Sequence, residues 1–201
     1  MAYPSGEPAR RRTLVTQLEG NLPGFGNPPT VAAQYSRLVE RLLDYCEMGL
    51  AGLSPEELND THGGRTNSIG FDIWHVVRTA DNIIHFAFER EQPVWLRGGF
   101  DVRWGLPRVN QGTGMPPEEA YALRFPPAEE FAEYVRAVKE AIVPRIAGMG
   151  DEELAAPVRI WPWGVVPRME AIGHGLIGHG NGHLGRVCLA RTLMGKSGLP
   201  F

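Results

Sequence analysis

Gly173-His174-Gly175-Leu176-Ile177-Gly178-His179-Gly180-Asn181-Gly182-His183-Leu184-Gly185-Arg186 carries three of the six histidines of this 201-residue chain among six glycines. Residues 180–185 fit the dinucleotide-binding pattern G-x-G-x-x-G. That reading fails on context: no strand pattern precedes it, Phe201 arrives before a βαβ unit could be completed, and no Lys-Ser/Thr follows as in a phosphate loop. A helix is the alternative. On a helix His179 and His183, four apart, project from one face, a spacing from which neutral imidazoles grip a transition metal.

The helix has a price: each interior glycine costs about 0.8–1 kcal/mol against alanine, so six amount to about 5 kcal/mol to be offset by packing or ligation. The apolar pattern supports it nevertheless. At about 100° per residue, Met169, Ile172, Leu176, His179, His183, Val187, Ala190 and Met194 collect on one side. His174 and Asn181 point away, and Cys188 lies nearly opposite His179. Glycines beside the inward pair would leave room at a pocket floor. Gly180 stands where the metalloprotease H-E-x-x-H needs its glutamate, which argues against a zinc protease.

Outward from this segment, the helix spans about 168–194 and Gly195 closes it. A loop over 155–167, with Trp161-Pro162-Trp163-Gly164, precedes it. A third helix over 128–146 carries Phe131, Val135, Val138, Ile142 and Ile146, with Pro144 near its end, where a kink costs least. The second helix starts at Asn67 or Ser68 and runs to about Arg90. Ile69, Ile73, Val76, Val77, Ala80, Ile84 and Ala87 form its apolar arc. His75, Arg78, Asn82, His85 and Glu89 form a polar seam, which periodicity alone reads as a solvated face. A first helix begins after Pro29, with Tyr35, Leu38, Leu42, Tyr45 and Met48 as its stripe. Between the second and third helices, residues 91–127 read as a long irregular loop, helical only briefly over 118–125. Its tryptophans and Phe100 suggest a lid.

Gly52-Leu53-Ser54-Pro55-Glu56-Glu57-Leu58 is echoed by Gly148-Met149-Gly150-Asp151-Glu152-Glu153-Leu154. Each copy follows one helix and precedes a histidine-bearing one, the plan of paired hairpins in an all-α four-helix bundle. Residues 1–28, rich in Pro, Gly and Arg, read as an irregular N-terminal arm, and 29–201 as the bundle domain.

Composition narrows the function classes. A net charge of −3 offers no electrostatic case for nucleic acid or an anionic membrane. No apolar run approaches the roughly 18 residues of a membrane span. Cys46 and Cys188 form no metal spacing or disulfide framework, which suits a cytoplasmic protein.

Taken together, Asn67-Ser68-Ile69-Gly70-Phe71-Asp72-Ile73-Trp74-His75-Val76-Val77-Arg78, the tail His179-Gly180-Asn181-Gly182-His183-Leu184-Gly185-Arg186, the ending Arg191-Thr192-Leu193-Met194-Gly195, and the loop pieces Arg103-Trp104-Gly105-Leu106 and Gly112-Thr113-Gly114 resemble the DinB/YfiT-like superfamily of metalloenzymes. The resemblance covers roughly residues 30–201. It implies a four-helix bundle, often a homodimer, with a divalent transition metal held by His75, His179 and His183. Zinc is the first choice and nickel or iron the alternatives. It also implies that the polar seam borders the site. Relatives often carry an acid after the position of Gly185, where this chain has Arg186, so the surroundings of the ligands differ. Characterised relatives bind low-molecular-weight thiols, mycothiol or bacillithiol, for transfer or isomerisation, and the same is expected here with a small-molecule substrate. Arg78, Arg103 and Arg186, close to these motifs, are the candidate catalytic residues, to grip carboxylates of thiol or substrate. The alternatives are a metal-dependent hydrolase or lyase, and a non-catalytic metal-binding stress or detoxification protein.

Overall fold

A computed structural model describes residues 30–200 of the chain; the expected N-terminal arm lies outside them. Four long helical elements form a bundle, joined by short helices and one small hairpin. None of the helices among the described residues is long and apolar enough to cross a membrane.

The first long helix, α1 (Val31–Leu50), buries Ala32, Ser36, Val39, Leu42, Leu43, Cys46, Gly49 and Leu50. This corrects the expected stripe. Of its members only Leu42 is buried, and Met48 is 44% exposed. The buried face is turned to Ala32, Ser36, Val39, Leu43, Cys46 and Leu50, at three- and four-residue steps, while Tyr35 and Tyr45 are partly buried against it. A Cβ on Gly49 would stand 3.1 Å from both Ile73 and Val187, and Ser36 Oγ donates to the carbonyl of Val143 at 2.8 Å.

After the short α2 (Pro55–Leu58), with its capping box between Ser54 and Glu57, the chain enters α3 (Ile69–Asp81). Ser68 caps it by accepting from the Phe71 N–H, and every residue of α3 is buried. The polar seam is therefore not a solvated face: His75, Arg78 and His85 are all buried. The helix runs on into a π-helical segment, Asn82–Phe88.

The stretch expected to be irregular holds two short helices, α4 (Val94–Arg97) and α5 (Phe100–Trp104), before the brief one expected near 118–125, which is α6 (Pro117–Ala122). Buried Asp81 anchors the first of them, α4. Its carboxylate accepts from the Val94 and Trp95 backbone N–H groups at 2.9 and 2.8 Å, from Tyr134 Oη–H at 2.9 Å and from His85 Nδ1 at 2.8 Å. Burial, with Asp81 beside it, pushes the Tyr134 hydroxyl well above its ordinary pKa. Trp95, Phe100 and Trp104 then pack edge-on or tilted against Tyr134 of α7 (Ala128–Ala147).

In α7 the expected stripe Phe131, Val135, Val138, Ile142 and Ile146 is buried throughout, with Pro144 in the last turn. The repeat is visible too. The short α2 and α8 (Asp151–Ala155) bury Leu58 and Leu154 at matched positions, and Leu53 and Met149 just before them. The loop expected over 155–167 is instead an antiparallel hairpin, β1 (Pro157–Ile160) with β2 (Gly164–Pro167). Strands of four residues are too short to show alternation in sequence. The last element joins α9 (Arg168–Glu170), a π-helical segment (Ala171–Gly178) and α10 (His179–Leu193). The π segment shifts the helical phase, so Met169 is exposed while Ala171, Ile172, Gly175 and Leu176 are buried. In the bundle, α1 packs mainly on α7, and α3 mainly on α10.

Candidate metal centre

The packing of α3 on α10 brings His75 to the pair His179 and His183, more than a hundred residues further along the chain. Among the described residues, His75, His179 and His183 form one group whose ligand atoms all lie within 4.8 Å of one another. His179 Nε2 is 3.2 Å from His75 Nε2 and 3.0 Å from His183 Nε2.

Hydrogen bonds on the far side of two rings decide what those Nε2 atoms carry. His75 Nδ1 lies 2.6 Å from the carbonyl oxygen of Gln111, and His183 Nδ1 lies 2.8 Å from Asp72 Oδ1. A carbonyl only accepts, so His75 Nδ1 bears the proton and its Nε2 presents a lone pair; at His183 the Asp72 carboxylate favours the same tautomer, against Arg186 Nη2, which also faces that Nδ1. Bare lone pairs facing one another at about 3 Å repel unless a cation or proton lies between them.

The surroundings keep His75 and His179 neutral. Burial pushes His75 down to about 4 against the opposing effect of its bond to Gln111. Burial, with His183 and His75 alongside, brings His179 to about 4 as well. Burial alone would raise Asp72, but the bonds from His183 and Arg186 hold its carboxyl below the ordinary value. Arg186 donates from Nη2 to Oδ1 at 3.0 Å and from Nε to Oδ2 at 3.2 Å. Asp72 had no assigned role in the sequence. Its signal was present as Asp-x-x-His on α3, one turn before His75.

A strap over residues 108–114 closes the cluster. Gly112 has φ +96°, and a Cβ there would come 2.8 Å from Phe71 and 3.2 Å from His75 Nδ1, so this position requires glycine. The cavity above the histidines, about 540 Å³, is lined by Phe71, Met115, Tyr121, Thr66 and Asn67 among others, and by Arg186.

The three candidate arginines part company here. Arg186 lines the histidine cavity. Arg78 is 1% exposed and lines a neighbouring cavity instead, bonded to Asn82 Oδ1 and to the carbonyls of Arg108 and Val109. Arg103 reaches neither; it pairs with Glu130 and Glu133 on the outside of α7 and covers the Phe100 ring. His174 is exposed, edge-on to Trp163.

The glycines do not make room for the histidines, as their sequence reading suggested. A Cβ on Gly175 would meet Trp163 at 2.6 Å, one on Gly180 would meet Leu42 at 2.8 Å, and one on Gly173 would meet Tyr35 at 3.3 Å. Gly182 and Gly185 face open space. The close approaches are to α1 and the hairpin.

Residues 38–187 match the family described as the DinB superfamily. Among solved structures, the chain is similar to a conserved protein from Enterococcus faecalis, at 22% identity and a TM-score of 0.72 over 83% of this chain and 99% of that one. At this identity the likeness concerns the fold. No curated protein matches the chain.

Proposed function

This chain belongs to the DinB superfamily, and we propose that His75, His179 and His183 hold a divalent transition metal, zinc by preference, at which a low-molecular-weight thiol of the mycothiol or bacillithiol type is activated for transfer to, or isomerisation of, a small electrophile. One observation carries this reading: three imidazole nitrogens converge, with His75 fixed as a lone-pair donor by Gln111 and His183 favoured as one by Asp72. A set of three neutral nitrogen donors fits zinc, nickel or iron and leaves further coordination positions open. An ion bound there supplies a charge that lowers the pKa of a thiol sulfur reaching it.

The chain's own residues do the rest. His75 and His179, at about 4, take up no proton at neutral pH and remain available as donors. The Asp72 carboxylate holds the His183 ring in place. Of the three candidate arginines, Arg186 is the one that lines the histidine cavity, which supports it as the group to meet a carboxylate of thiol or substrate there. Phe71, Met115 and Tyr121 shed water from the space above the cluster, which strengthens each polar contact made there.

Cobalt-loaded protein titrated with mycothiol and with bacillithiol tests the reading. A near-ultraviolet sulfur-to-cobalt charge-transfer band is expected with one of them. A fully cobalt-loaded protein that shows the band with neither would overturn the thiol assignment, and turnover of an electrophile without thiol would point to hydrolysis or elimination.

A further inference from the structure

Behind the strap, on the side away from the histidines, lies a second cavity of about 620 Å³. Thr113 is the one residue that its lining shares with the histidine cavity. We propose that it binds a small apolar carboxylate, a compound with an aromatic or alkyl body and one carboxylate group.

The charge of the lining is the first argument. Arg78, Arg90, Arg108 and Arg159 contribute to it, and no Asp or Glu does. Arg108 alone has an ion pair among the described residues, with Asp101 at 3.5 Å. Arg78 is the telling member. It is buried, its hydrogen-bond acceptors are a neutral amide and two backbone carbonyls, and its Nε is buried without a hydrogen-bond partner. This buried guanidinium, whose Cζ lies 5.0 Å over the Trp95 ring, adds to the wall a positive charge with no ion-pair partner among the described residues, which favours an anion in the cavity. Its planar fork matches a carboxylate in particular.

The second argument is the remainder of the wall. Ile83, Leu96 and Ile160 line the interior. Three large side chains around it, Phe86, Val109 and Trp161, are 54%, 79% and 71% exposed. Apolar side chains left in water around a cationic cavity call for an amphipathic anion rather than a bare phosphate. The volume falls within the roughly 300–1,000 Å³ of small-molecule sites. The π-helical segment Asn82–Phe88 forms one side of the cavity, and such departures from α geometry recur at functional sites.

The pocket is wired to the histidines. Arg78 Nη1 donates to Asn82 Oδ1, the Asn82 amide donates to Gln111 Oε1, and the Gln111 carbonyl accepts from His75 Nδ1. An occupant pairing with Arg78 would thus act on the strap that orients His75. Binding itself needs no metal.

The probe is 1-naphthoate, with binding followed by calorimetry and tryptophan quenching. Saturable binding at one site per chain is expected. It should weaken at least about tenfold in the surface double variant Arg90→Gln/Arg159→Gln and about tenfold for the uncharged analogue 1-naphthalenemethanol. Inorganic phosphate should not compete, and His179→Ala should leave the affinity unchanged even if the metal assignment fails. Absence of binding, equal binding of the uncharged analogue, or unchanged affinity in a folded double variant would overturn the proposal. So would loss of binding in His179→Ala, which would move the site to the histidines. A dimer dissociated by Trp161→Ser and insensitive to naphthoate would assign the cavity to a second copy of the chain.

Discussion

Asp72→Asn changes one heavy atom at the point where both histidine-bearing helices meet. The carboxylate is 2% exposed and receives His183 Nδ1 at 2.8 Å, Arg186 Nη2 at 3.0 Å and Arg186 Nε at 3.2 Å. An amide can satisfy only part of this. If its oxygen faces His183, its NH₂ meets the donors of Arg186. If its NH₂ faces His183, the imidazole must accept at Nδ1, which moves the ring proton to Nε2, the atom that faces the other two histidines. Either arrangement loses a charge-assisted bond worth about 1.5–3 kcal/mol. Metal affinity should therefore fall about 10- to 100-fold, or about 1.4–2.7 kcal/mol. Competition with a chromophoric chelator for zinc at neutral pH measures this, with circular dichroism to establish that the variant is folded. A folded Asp72→Asn protein that binds zinc as tightly as wild type would refute the reasoning.

Other consequences are accessible by standard methods. Gly182→Ala and Gly185→Ala, which face open space in α10, should each stabilise the protein by about 0.5–1 kcal/mol in urea unfolding; a loss of stability would mean that these positions are covered. Asp81→Ala removes the acceptor that ties α4 and Tyr134 to α3 and should cost about 3–5 kcal/mol, and a near-neutral result would dismiss it as the anchor. In metal-free protein, His75 and His179 stay neutral down to about 4, while unfolded histidines take up protons from about 6.5. Stability should thus fall as pH drops from about 6.5 towards 4 and be independent of these groups above that window; urea titrations at several pH values would show a rise on acidification if the sign were wrong.

The bundle was legible in the sequence because α7 and the capped entry to α3 follow simple rules of periodicity and capping. The buried face of α1 is turned from the expected stripe: Ala32, Ser36, Val39, Leu43, Cys46 and Leu50 recur at three- and four-residue steps, but Ala32, Ser36 and Cys46 make that face less conspicuous in sequence than the neighbouring tyrosines do. The short α4 and α5 were hidden because tertiary contacts make them: Asp81 satisfies the entry of α4, and Tyr134 provides a platform for the aromatic rings of both. The hairpin strands were too short to alternate visibly. For the site, His179 and His183 could be paired from spacing alone, but His75 came through the family resemblance, since a histidine on a polar seam looks solvated. Asp72 and Gln111 were invisible as supports because their role depends on how α10 and the strap lie against α3. The three arginines were chosen by proximity to motifs, and only Arg186 reaches the histidine cavity.

The central claim is that three Nε2 atoms converge on one metal ion. Elemental analysis of protein purified without a metal-binding tag tests it, comparing wild type with His75→Ala, His179→Ala, His183→Ala and the outward-facing His174→Ala. One transition-metal ion per chain is predicted in wild type and His174→Ala, with near-complete loss in the other three. Equal metal content in all five proteins would contradict the account.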